Sequence, residues 1–68
     1  MSILSERLRN ERTTKGYTQK QVADYLQITY NAISQYESGS REPSLDTLCR
    51  ICDFFDVSAD YLLGRTDY

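Results

Sequence analysis

Sixty-eight residues allow one small domain, residues 1–68, and exclude a second, because a chain this short buries only about 60% of its unfolded surface. Hydrophobic residues (40%) recur at helical spacing with one Pro and three Gly, which favours an all-helical bundle over disorder or a β-sheet, and no stretch resembles a membrane span or a signal peptide, so the chain is expected in the cytoplasm. The net charge of −2 and a pI of about 4.9 argue against a uniformly basic polyanion binder, but the charge is divided: residues 1–41 hold six Arg and Lys against four acids, residues 42–68 two against six.

The pattern predicts five helices in an all-α bundle. The first runs from Leu4 to Lys15, with Leu4 and Leu8 on one face, Arg12 continuing that face and Gly16 ending it. An arginine on a core face requires an acid, and Glu37 is the candidate partner.

The second helix spans Gln19 to Leu26. Thr18 and Gln21 stand three apart, the spacing of a reciprocal capping box, and Val22, Ala23 and Leu26 share one face. Thr29 caps the third helix, Tyr30 to Ser38, which buries Ile33 and Tyr36, turns Tyr30, Asn31, Ser34 and Gln35 outward and stops at Gly39. Ala23 is small enough to let these two short helices cross closely. The pair is a helix-turn-helix signature, a rigid presenter of polar side chains.

Pro43 makes residues 40–43 a loop, and Ser44 caps a fourth helix, Leu45 to Phe55, whose buried stripe is expected to be Leu45, Leu48, Cys49, Cys52 and Phe55. Ser58 caps a last short helix holding Tyr61, Leu62 and Leu63, ended by Gly64. Cys49 and Cys52 form C-x-x-C, but without histidine or a second cysteine pair they read as buried free thiols; no metal or other cofactor is inferred, and no nucleophile and base can be paired into an enzyme.

In order along the chain, Leu8 and Arg12, Thr18-Gln19, Val22-Ala23, Ile33, Glu37 and Gly39, Pro43-Ser44-Leu45 and Asp60-Tyr61-Leu62-Leu63-Gly64 resemble the phage repressor and Cro family, the XRE-like helix-turn-helix regulators. The resemblance covers almost the whole chain. It implies a compact five-helix, lambda-repressor-like fold that binds operator DNA as a transcriptional regulator, a repressor acting as a two-fold dimer. Two positions depart from the family pattern. Gln27 stands where a turn Gly is common and must adopt a left-handed conformation, and Glu11 stands where many relatives are apolar.

The resemblance maps base contact in the major groove onto Tyr30, Asn31, Ser34 and Gln35. Asn and Gln amides suit adenine, and with no Arg on this helix an A/T-containing half-site is expected. Phosphate contact is expected from Gln19 at a helix start, from Thr29 and Arg41 flanking the third helix, and from Lys20 and Arg9. Val57 and Tyr61, with Phe54 beside them, are candidates for a dimer interface around the corner between helices four and five, and equally for core packing. The rival function is a protein-interaction module using Tyr25, Tyr30 and Tyr68 to hold a partner chain. The chain either acts alone or is the DNA-binding part of a longer regulator.

Overall fold

Each helix begins at a side-chain hydroxyl that accepts a hydrogen bond from the backbone N–H three residues on: Ser2, Thr18, Thr29, Ser44 and Ser58 cap α1 (Ile3–Thr14), α2 (Gln19–Leu26), α3 (Tyr30–Ser38), α4 (Leu45–Phe55) and α5 (Ala59–Leu62). The structure, a computed structural model, describes residues 2–68, and among them there is no strand. The Thr18–Gln21 capping box is reciprocal, with the Gln21 N–H donating to Thr18 Oγ1 (3.1 Å) and the Thr18 N–H to Gln21 Oε1 (2.9 Å). α1 starts one residue earlier than its apolar pattern suggests. Ser2 and Ser5 bond reciprocally there, Ser5 Oγ donating to the Ser2 carbonyl at 2.7 Å.

All five helices also end alike, the chain folding back so that an N–H donates to a carbonyl five residues earlier, as in Tyr17 to Arg12 (3.0 Å) and Ser40 to Gln35 (3.1 Å). The residue that makes such a reversal takes positive φ, supplied by Gly39 (82°) after α3 and by two non-glycines, Gln27 and Asp56 (58° and 56°), after α2 and α4.

α1 packs on α3 and α5, α2 on α3 and α4, and α4 on α5. The core they enclose runs from Leu4 and Leu8 through Val22, Ala23, Leu26, Ala32, Ile33 and Tyr36 to Leu48, Ile51, Cys52, Phe55 and Leu62. The α4 stripe differs from its expected composition. Ile51 is fully buried, whereas Leu45 is 82% exposed and Cys49 is exposed. Each residue advances about 100° around a helix, so Cys49 stands a quarter-turn off the face centred on Leu48 and Cys52. Leu45, at the first position, flanks that face at its uncovered end. α5 closes at Leu62, and Leu63 is a half-exposed cap.

Candidate nucleic-acid interface

Three residues join α2 to α3, and their backbone geometry sets how α3 is presented. Gln27 occupies the left-handed region (φ 58°, ψ 42°), its N–H donating to the Asp24 carbonyl at 3.2 Å, and the Ile28 N–H reaches the Ala23 carbonyl at 3.0 Å. From α4, Arg50 donates to the Leu26 carbonyl, closing the last turn of α2. Ala23 and Ala32 are buried, and neither side chain extends beyond Cβ, so the two helices approach closely.

Once Ala32, Ile33, Tyr36 and Glu37 are buried, α3 offers one outward face. Tyr30 is 54% exposed, Asn31 and Gln35 are exposed and Ser34 is half-buried. Nine residues of helix are about 13 Å long and about 10–12 Å across, dimensions that a B-DNA major groove about 12 Å wide admits.

The far end of α3 is held by a buried carboxylate. Glu37 is 1% exposed; Arg12 Nε donates to its Oε2 at 2.6 Å and Arg12 Nη2 to its Oε1 at 3.0 Å, a two-pronged pair. Gln19 Nε2 donates to the same Oε1 at 3.1 Å, and Arg9 Nη2 reaches the Glu37 backbone carbonyl at 3.3 Å. Arg12 Nη1 donates to the Tyr17 carbonyl (3.0 Å), tying in the loop before α2. Among the described residues no buried side-chain nitrogen or oxygen lacks a partner.

This arrangement divides the five candidate phosphate ligands. Gln19 and Arg9 are turned toward Glu37. Lys20 pairs with Asp24 at 3.0 Å on an open surface, where such a pair is weak. Thr29 accepts the Ala32 N–H (3.1 Å) and keeps its own hydroxyl proton to donate. Arg41 is exposed, its guanidinium 5.7 Å from the Tyr36 ring centroid, and its N–H joins that of Ser40 on the Gln35 carbonyl, which folds the loop back beside α3.

Val57 and Tyr61 line a groove of about 750 Å³ between α1 and the α4–α5 corner, together with Glu11, Asp56 and Asp60. Two of its three carboxylates are paired with cations beside it, Glu11 with Lys15 (3.1 Å) and Asp60 with Arg65 (3.4 Å), so the face offers a polyanion no excess of positive charge. Phe54 is not part of it. Its ring lies 4.4 Å from that of Tyr25 and 5.1 Å from that of Tyr17, in a cluster on the other side of α4. Tyr61 carries the Arg7 guanidinium over its ring at 4.4 Å, and Arg7 also donates to the Tyr61 and Thr66 carbonyls, pinning the last residues to α1.

Five helices, a three-residue turn between α2 and α3 and a polar outward face on α3 define the lambda-repressor-like helix-turn-helix class of fold. A family model described as helix-turn-helix matches residues 8–62, and the chain belongs to that family, the XRE-type phage repressor and Cro-like regulators. It is 44% identical over 64 residues to the HTH-type transcriptional regulator ImmR of Bacillus subtilis, covering 94% of this chain and 50% of that protein. To the cryptic phage CTXphi transcriptional repressor RstR of Vibrio cholerae it is 39% identical over 62 residues, covering 91% and 55%. The uncharacterized HTH-type regulator YazB of Bacillus subtilis is 37% identical over 60 residues, covering 88% and 87%. The chain spans about half the length of ImmR and RstR, and none of these three relatives is named as an enzyme. No helix among the described residues is long and apolar enough to cross a membrane.

Proposed function

We propose that residues 1–68 form a single helix-turn-helix domain that binds double-stranded DNA sequence-specifically and regulates transcription in the cytoplasm, as a repressor that seats α3 in the major groove of a two-fold operator. The observation that carries this reading is the outward face of α3. Tyr30, Asn31 and Gln35 are exposed, with Ser34 beside them, on a nine-residue helix whose opposite side is buried and whose two ends are fixed. Amide side chains there suit adenine edges, and the Tyr30 ring suits a thymine methyl or a phosphate. Thr29 and Arg41 flank the helix as backbone contacts, with Lys20 and Arg9 further out. Two copies are proposed to meet through Val57 and Tyr61, reading half-sites about 34 Å apart.

Capture of duplexes from a random-sequence pool tests the reading. Enrichment of A/T-containing half-sites repeated at about 10 base pairs is the expected result. A pool that stays random at low salt overturns it and favours a protein-interaction module.

A further inference from the structure

α2 and α3 form a V. The turn at Gln27–Thr29 joins the end of α2 to the start of α3, and a joint at one end alone leaves the angle between two helices adjustable. A second tie at the open end removes that freedom. Gln19, the first residue of α2, supplies it, its Nε2 donating to Glu37 Oε1 (3.1 Å) in the last turn of α3. Arg12 of α1 holds the same carboxylate with both prongs of its guanidinium, so the tie is anchored to a third helix.

An amide donating to a buried, ionised carboxylate makes a charge-assisted bond, about twice as strong as a neutral one. A neutral side chain bonding a solvent-washed phosphate only replaces water at both partners. Leaving Glu37 would strip a partner from a carboxylate that is 1% exposed and has no water to replace it, and the amide's second hydrogen is free to bond elsewhere without breaking that contact. Both considerations keep one amide hydrogen of Gln19 on Glu37.

We infer that Gln19 is a positioning residue, a strut between the open ends of α2 and α3 that sets the angle of the reading helix and thereby sequence discrimination, a role separate from any phosphate contact of its second N–H. The inference rests on the DNA-binding reading above. A phosphate ligand contributes equally to every sequence, whereas a strut contributes only where base edges must meet Asn31 and Gln35 in register.

Two variants of the full chain test it, Gln19→Met and Gln19→Glu, each compared with the unaltered chain at a temperature where circular dichroism reports a folded protein. The probes are the duplex selected from the random pool and a scrambled duplex of the same composition, followed by fluorescence anisotropy. For Gln19→Met the operator-to-scrambled affinity ratio should fall about tenfold or more, the scale of one lost hydrogen bond to a charged group. Equal losses on both duplexes, leaving the ratio intact, would overturn the strut in favour of a phosphate contact.

Gln19→Glu sets a second carboxylate against Glu37, whose charged neighbours among the described residues are Arg12 and Arg9. Two carboxylates this close do not both ionise freely, so the introduced carboxyl has its pKa raised in the folded chain, and the stabilising protonated form is lost as pH rises. Without DNA, the Tm deficit of Gln19→Glu relative to the unaltered chain should be largest at pH 7 and shrink toward pH 5, where the introduced carboxyl, once protonated, again donates to Glu37. A deficit that does not change with pH would overturn the contact. An unaltered chain that selects no duplex overturns the DNA reading and this inference with it, whereas selection with an unchanged Gln19→Met ratio overturns the inference alone.

Discussion

Gln27 and the two cysteines separate what residue chemistry reveals from what only packing decides. The left-handed conformation of Gln27 was legible through the resemblance, since the family commonly has Gly at this turn, and its φ is 58°. The matching reversal at Asp56 lies in an equally short gap, between Phe55 and the Ser58 cap, but no family departure drew attention to it, and its φ is 56°. Gln27→Gly should remove roughly 1 kcal/mol of left-handed strain, offset in part by a more flexible unfolded chain, and raise Tm by a few degrees. A lower Tm would mean that the Gln27 side chain stabilises the turn. C-x-x-C on one helix reads as a buried pair until the neighbours are known, and α4 then turns Cys49 out and Cys52 in. Burial pushes the Cys52 thiol up, with Cys49 and Asp53 adding to the shift. Its neutral form therefore favours the fold fully below the ordinary thiol range, about 8.5, and that contribution is lost as pH rises beyond it. At pH 8 a thiol reagent should modify one cysteine, Cys49, rapidly and the other only as the chain opens; two equal rates would contradict this burial. Gln19 was the residue least open to sequence reasoning. Its partner lies eighteen positions away, and a polar residue at a helix start reads first as an anion ligand.

At the scale of elements, the helices were legible because hydroxyl caps and reversal residues mark their boundaries independently of the apolar periodicity. Only the ends of α1 and α5 moved, where Ser2 extends one helix and Leu63 falls outside the other. The Arg12–Glu37 partnership was legible for a different reason, since a charge on a core face must be paired. What it joins was not. It unites α1 with α3 directly, and Gln19 brings in α2. Removing one member leaves the other charge buried, at a cost of about 3–5 kcal/mol, comparable with the whole stability of a domain this size. Arg12→Ala is therefore expected to be largely unfolded at 37 °C by circular dichroism. A Tm within a few degrees of the unaltered chain would show that Glu37 finds solvent or another partner.

The whole molecule extends 28 × 23 × 21 Å, less than the roughly 34 Å between half-sites on one face of a duplex, so a two-fold operator requires two copies. Charge sets how they act. Asp56 and Asp60 line the groove beside Val57 and Tyr61, with Arg65 3.4 Å from Asp60, so copies meeting there as proposed gain little from charge and would associate weakly until DNA holds them side by side. Arg12 is committed to Glu37, so on the proposed reading few cations remain for phosphates and base contact supplies the larger share of operator affinity. Base reading by α3 is tested most directly by the double variant Asn31→Ala, Gln35→Ala, measured by anisotropy on the selected operator and on a scrambled duplex. Both side chains are exposed, so Tm should hold within a degree or two. Preference for the operator should collapse by about 100-fold, roughly the product of two base contacts, while scrambled-duplex binding is unchanged. Retained preference in a folded double variant would contradict base reading at these positions and move recognition away from the outward face of α3.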